Sequence, residues 1–360
     1  MKQWLTLSLL NILSFIPIIL VFLILLLANV KGFGEFKTNS EFTTLGLTVS
    51  VISKILIILP ICILCNKNVL VMHKVIGTVC LLHVIFFGIQ YLLVYTVGFY
   101  PDPLNLIVGK EQRYIAGMTL PLIGEVYRPT GMYYEPSTYA TYMLILVATR
   151  MCLVNQLNRI DIIVLLSTIF SFSAAAIVYS SLALFIGLMS KEKLRQNIRI
   201  MIPLFLLLVP VIYWYFVGRL DMGHREFGSL RLGLIVITFT QSQFEILFGN
   251  GLMGIPTQID DMKFFGGLAQ FEVAAINDAG LWLFNIIKFG IVGLILVLIS
   301  QKLIISSVRP FLFVLTIYLT KASLFDATLI FCFLIPYFIR MKMLKNVQIE
   351  NITYDSNVNS

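Results

Sequence analysis

Long apolar runs recur along this chain with few charges between them, and a helix needs only about 20 such residues to cross the hydrocarbon core of a bilayer. The clear candidates are Leu5–Val30, Phe42–Cys65, Val75–Phe99, Thr138–Asn155, Ile200–Val217 and Leu281–Ser300. Only 12% of the residues are charged, against 59% hydrophobic. A soluble domain carries about 25% charged residues to cover its surface, so half of the polar cover is missing and lipid must replace it. The chain is expected to be an all-α, polytopic transmembrane protein. Its first run is too long for a signal peptide and lacks a small-residue cleavage site, so it is read as a first spanning helix.

Two further runs, Ile160–Met189 and Pro310–Ile339, are each about 30 residues, long for one crossing and short for two. Both carry small or polar residues near the middle: Ser171, Ser173 and Ala174–Ala176 in one, Lys321, Ser323 and Asp326 in the other. Loops rich in Lys and Arg stay in the cytoplasm. A single crossing by Ile160–Met189 would send Lys191, Lys193, Arg195 and Arg199 to the outside; a hairpin of two short helices keeps them in. The same reasoning makes Pro310–Ile339 a hairpin, with Lys302, Arg309, Arg340, Lys342 and Lys345 inside. The expectation is about ten membrane segments, two pairs of them short or re-entrant, with both termini cytoplasmic. Residues 1–345 then form one integral membrane domain and 346–360 a cytoplasmic tail. Two long loops, about 100–136 and 218–280, fall outside, on the side away from the cytoplasm, and hold most of the acidic residues.

The net charge of +8 follows from the positive-inside bias and needs no nucleic-acid partner. The five cysteines lie in or beside apolar runs and read as small packing residues. Cys62 and Cys65 have the spacing of a redox or zinc pair, but no second Cys/His pair stands nearby, and three scattered histidines make no metal site. No cofactor is expected.

The first loop ends in Arg128-Pro129-Thr130-Gly131-Met132-Tyr133-Tyr134-Glu135-Pro136-Ser137 and runs straight into a spanning helix. Pro136 suits a first helical turn, and Ser137 or Thr138 can accept from the free N–H groups there. The positive end of the helix dipole would hold Glu135 ionised. Arg128 comes within reach of Glu135 if the loop folds back at Gly131. A capped helix whose Arg–Glu pair merely fastens a loop accounts for the same spacing.

This stretch resembles the Arg-x-x-Gly-x-x-x-Glu-Pro-Ser signature of bacterial O-antigen polymerases and related capsule polymerases. Ser229-Leu230-Arg231 followed by Leu247-Phe248-Gly249-Asn250-Gly251 is similar to that family's later Arg and Gly-x-Gly order. Asn277-Asp278-Ala279-Gly280, before Gly290 and Gly293, looks like its approach to a late spanning helix, and Ser171–Ala174 like its Ser-rich helix interruption. The resemblance implies a membrane glycosyltransferase that moves a glycan from undecaprenyl pyrophosphate onto the next lipid-linked repeat unit at the periplasmic face. Its partners would be the lipid-linked oligosaccharide, membrane lipid and a chain-length regulator. The closely related O-antigen ligase shares topology and donor. A lipid-linked oligosaccharide flippase is the alternative of another class, favoured by charges along a central pathway and repeat-related halves, neither of which the sequence displays.

Under this reading Arg128 and Arg231 stabilise charge on the departing pyrophosphate, because planar guanidinium forks match phosphate oxygens. Glu135 takes the proton of the acceptor hydroxyl. Arg219, Arg225, His224, Tyr134, Asn277 and Asp278 are the expected substrate-binding residues, and His224 and Asp278 the reserve bases. Elsewhere, Lys54 and Lys288 sit inside apolar runs and are expected to tilt toward an edge and snorkel. Lys321 and Asp326 could pair with each other or cap their hairpin. Leu232–Phe248 carries too many polar residues for hydrocarbon and is expected to be an amphipathic helix on the outer surface, with Arg231 at its start.

Overall fold

The computed structural model describes residues 44–112, 118–120, 124–188, 225–251, 254, 256, 276–305 and 307–340, with isolated positions 20, 23 and 24. For 44–48, 66, 118–120, 124–125, 225–232 and 278 it describes the backbone alone. The expected span Ile200–Val217 and nearly all of Leu5–Val30 lie outside the described residues.

Helices account for almost all of what is described. The run around Phe42–Cys65 forms α1 (Thr44–Lys67), and all but the last two residues of Val75–Phe99 lie within α2 (Val69–Val97). Asn68 starts α2 by accepting from Val71 N–H, and Gly98 stops it in the left-handed region. His73 sits in the opening turns of α2. The following loop holds a short α3 (Pro103–Val108) and a three-residue antiparallel hairpin, β1 (Met118–Leu120) with β2 (Gly124–Val126), the one departure from an all-helical chain among the described residues. Next come α4 (Pro136–Val154), α5 (Arg159–Ile169), α6 (Ala174–Leu188), α7 (Arg225–Thr240), α8 (Gln243–Phe248), a 3-10 turn at Ile276–Ala279, α9 (Leu281–Ile304), α10 (Val308–Ile317) and α11 (Ala327–Arg340). Of these, α2, α4 and α9 are long and apolar enough to cross a membrane.

Both long runs break where polar residues interrupt them. Ser171 turns its hydroxyl back onto the Thr168 carbonyl, and Phe172 adopts φ 49°, so α5 ends and α6 begins. At 1.5 Å per residue these two helices are roughly 16 and 22 Å long, too short to span singly. They lie antiparallel: Thr168 and Ser180 hydroxyls meet at 2.6 Å near the tip, and a Cβ on Gly187 would fall 2.0 Å from Leu157 at the open end. In the second run α10 and α11 are separated by residues 318–326. The start of α10 (Pro310) and the end of α11 (Pro336, Ile339) wall the same cavity, so this run too returns on itself.

The bundle thus has two distinct ends. At one, the tip of each hairpin meets an end of a long helix: Tyr91 in the last turns of α2 donates to Phe170 O, and the Leu281 and Trp282 amides at the head of α9 donate to Thr320 and Tyr318 carbonyls. At the other end, the starts of α2 and α5 meet the end of α4 around Arg150. Its guanidinium lies 2.5 Å from Asp161, itself part of a capping box with Asn158, and also donates to the His73 carbonyl. Arg150 and Asp161 are both fully buried.

The segment expected to lie on the surface instead packs along α9. Leu234 and Ile237 of α7 bury against Leu283 and Ile287, and α8 reaches the middle of α9. There Gly290 (φ 71°, ψ 179°) breaks the helical path. The Ile287 and Lys288 carbonyls, which a continuous helix would have satisfied, accept from Asn250 N, Asn250 Nδ2 and Gly251 N at 2.8–3.1 Å. Only glycine fits here, since a Cβ at Gly290 would lie 2.1 Å from Leu247 O. Lys288 does not snorkel. It is 6% exposed, and its ammonium donates to Gly254 O at 2.7 Å.

Candidate functional site

The loop from Tyr127 to Glu135 occupies the end where the hairpin tips gather, and two buried glutamines fix its shape. Gln90, in the last turns of α2, accepts from the Thr130 and Gly131 amides (3.2 and 2.7 Å) and donates to the Gly131 carbonyl (3.0 Å). Gln112 donates to the Gly131 and Tyr133 carbonyls (2.9 and 3.1 Å) and is itself tied by Asp102, which accepts from its backbone amide. Between these anchors the chain reverses. Tyr133 N donates to Thr130 O, and Gly131 takes φ 59°, with no room for a Cβ beside the Tyr139 ring 3.0 Å away. The chain does fold back at Gly131.

Aromatic rings fasten the flanks. Tyr127 sets its ring edge against Tyr91 and Tyr100, and its amide donates to Tyr95 Oη. Tyr133 stacks on Tyr142 at 5.3 Å and meets Tyr139, which stacks on Phe87 at 4.8 Å. Burial, with Asp102 and Tyr100 adding to it, pushes the Tyr127 phenol up to about 12. Arg128 and Thr130 are held inside this frame at 5% and 1% exposure, whereas Tyr134 stands exposed.

Glu135 follows as the N-cap residue of α4, with Pro136 in the first turn, yet its carboxylate makes no capping bond. Nor does Ser137 cap, as was expected. The Ser137 hydroxyl donates to Glu135 Oε2 at 2.9 Å, and the Lys321 ammonium lies 3.4 Å from the same oxygen. Lys321 therefore pairs with Glu135 and not with Asp326. The pair stays partly wet, its side chains 20% and 11% exposed. Asn277 steadies the partner from a third element by donating to Lys321 O at 2.6 Å.

A second polar layer underlies the first. Asp326, immediately before α11, accepts from Ser323 N at 2.9 Å and so fixes the turn that leads into that helix. Lys54 comes from α1 and donates to Phe325 O at 2.9 Å, so it reaches this tip instead of an edge.

Of the residues expected to act, Arg128, Tyr134 and Glu135 share one fixed loop, and Asn277 joins them through Lys321. Arg225 and Arg231 belong to α7 and Asp278 to the 3-10 turn, with side chains outside the described residues; Arg231 lies inside its helix and not at the start. Arg219 and His224 lie outside the described residues altogether. Sequence reasoning missed Gln90, Gln112 and the pairing of Lys321 with Glu135. A lone amide in a 29-residue apolar helix was the available signal for Gln90, since a polar group at such a position is costly without a partner. Chemically, the site offers a carboxylate in contact with solvent, a hydroxyl and an ammonium, with a buried guanidinium on the same loop. The chain matches no family model, no curated protein and no solved structure.

Proposed function

We propose that the chain is an inner-membrane glycosyltransferase of the polysaccharide-polymerase kind, extending a glycan carried on undecaprenyl pyrophosphate. The observation that carries this reading is the rigid loop joining buried Arg128 to Glu135, whose carboxylate is left out of helix capping and turned toward Ser137 and Lys321. Charge distribution supports an outward-facing site: among the described residues Lys67, Lys74, Arg159, Lys302, Arg309 and Arg340 stand near the end opposite this loop, against Lys110, Arg128 and Lys321 at the loop's own end.

In the proposed reaction the acceptor hydroxyl attacks the anomeric carbon of the donor sugar, and the bond from that carbon to the pyrophosphate oxygen breaks. Glu135 accepts the hydroxyl proton, and the departing diphosphate keeps the bonding electron pair. Arg128 and Lys321 offset the developing charge, which fixed cations do best in a partly dry site. Glu135 is then the proton acceptor, and Lys321 moves its attraction from the neutralised carboxyl to the phosphate.

The test is complementation of a deletion strain with Glu135→Gln and Arg128→Ala, with immunoblotting for protein in the membrane. Both variants should be present at wild-type level and give a single repeat unit in place of a polysaccharide ladder. A full ladder from both variants overturns the reading. In the deletion strain, complete absence of glycan on its final acceptor points to a ligase, and lipid-linked units trapped in the cytoplasmic leaflet point to a flippase.

A further inference from the structure

At the end of the bundle far from Glu135 lies a cavity of about 230 Å³. It opens between the C-terminal ends of α4, α9 and α11 and the start of α10. Leu153, Ile305 and Ile339 give it apolar walls; Asn155, Ser307 and Arg340 give it a polar side. Its volume would hold roughly eight waters at liquid density, enough for a phosphoglycerol group and a few methylenes.

Charge selects among possible occupants. Among the described residues none that lines the cavity is acidic. Helices α4 and α9 end here, and helix C-termini attract cations. That demand is met at α4 by Arg309, whose guanidinium donates to Asn155 O at 3.4 Å. Lys302 stands close by, its ammonium 5.2 Å from the centre of the Phe311 ring. Arg340 is a further cation, and among the described residues it has neither an ion pair nor a hydrogen bond. A guanidinium offers five donors in a planar fork suited to phosphate. Cationic groups at the polar side of an apolar recess fit an amphiphile with an anionic head, and basic pockets between membrane helices bind such headgroups.

We propose that this cavity binds an anionic phospholipid from the leaflet at that end. Arg340 takes the phosphodiester oxygens, Ser307 and Asn155 hydrogen-bond the phosphate or glycerol hydroxyls, and the first acyl methylenes lie against Leu153, Ile305 and Ile339. The site is independent of the function proposed for the Glu135 end.

The experiment uses the full chain purified in neutral detergent, with lipid retention followed by native mass spectrometry and thermal unfolding followed in parallel. Phosphatidylglycerol should be retained at one copy per chain and raise the melting temperature. Phosphatidylcholine and free glycerol phosphate should do neither. Arg340→Gln should weaken phosphatidylglycerol retention at least tenfold, the loss of one charge-assisted contact. Arg159→Gln, an exposed charge at the same end that does not line the cavity, should leave retention unchanged. Equal retention of phosphatidylcholine and phosphatidylglycerol by the wild-type chain overturns the proposal without recourse to a variant. Full retention by Arg340→Gln overturns it as well. A melting shift given equally by glycerol phosphate replaces the lipid with a simple anion site.

Discussion

Among the described residues each end of the bundle shows an ion pair, one between successive helices 11 residues apart and one across 186 residues of chain, and the two differ in burial, length and the partners they share. Arg150 and Asp161 are 2.5 Å apart and dry, wrapped by the His73 carbonyl, Gly77 and the Asn158 capping box. Lys321 and Glu135 are 3.4 Å apart, keep part of their surface in solvent, and share the carboxylate with a hydroxyl. A buried charge without its partner is very costly, so the first pair cannot exchange partners. The second is longer and shares its carboxylate with a hydroxyl, which leaves it the readier of the two to admit a ligand. At the Glu135 end rigidity comes instead from Gln90 and Gln112, which grip backbone and leave side chains available.

The largest expected effect belongs to the dry pair. Arg150→Ala strands Asp161 and should cost about 3–5 kcal/mol, read as a lowered melting temperature or loss of folded protein. An Arg150→Met, Asp161→Leu double substitution should recover most of it, since apolar groups of similar size remove the uncompensated charge. A mild single substitution would erase the contrast between the ends.

Next comes the clamp. Gln90→Leu leaves the Thr130 and Gly131 amides without their acceptor, at about 1–3 kcal/mol for each buried group. The loop should loosen while the helices persist. A cysteine at position 130, where Thr130 is 1% exposed, should resist thiol reagents in the parent protein and react in the Gln90→Leu background. Continued protection would mean that the aromatic flanks alone hold the loop.

Lys321→Met should lower stability by less than Arg150→Ala does, because the Lys321–Glu135 pair is longer and not fully buried, and yet abolish chain extension in the complementation assay. A stability loss as large as that of Arg150→Ala would assign Lys321 to structure. The smallest effect concerns alkali. Tyr127 titrates at about 12, above the ordinary phenol near 10, because burial and then Asp102 and Tyr100 disfavour its anion. Its contribution to stability is whole below about pH 10 and is lost as pH rises toward 12. Comparing tyrosinate absorbance and unfolding of the parent with Tyr127→Phe over that window should show a late-ionising tyrosine missing from the variant.

How much of this was legible in the sequence depended on whether the signal was local. The breaks at Ser171–Ser173 and around Lys321–Asp326 were, because small and polar residues inside a 30-residue apolar run leave few alternatives. The turn at Gly131 was local as well. Partnerships between segments were not. Nothing near Gln90 in sequence announces that it holds Gly131, and Lys321 lies 186 residues from Glu135. The segment Leu232–Phe248 misled because its polar residues read as contact with water. Some of them instead serve helix ends, as Ser242 and Glu245 do in their capping box, and others bond within the helix, as Thr238 does to Leu234 O.

The central claim is that the glutamine-clamped loop bearing Glu135 faces away from the cytoplasm. Tyr134, exposed beside Glu135, gives the most direct probe, since the described native cysteines are buried or half-buried. In intact cells a Tyr134→Cys variant should react with a membrane-impermeant maleimide without permeabilisation. Labelling that occurs only after the inner membrane is opened would turn the loop toward the cytosol and contradict the account.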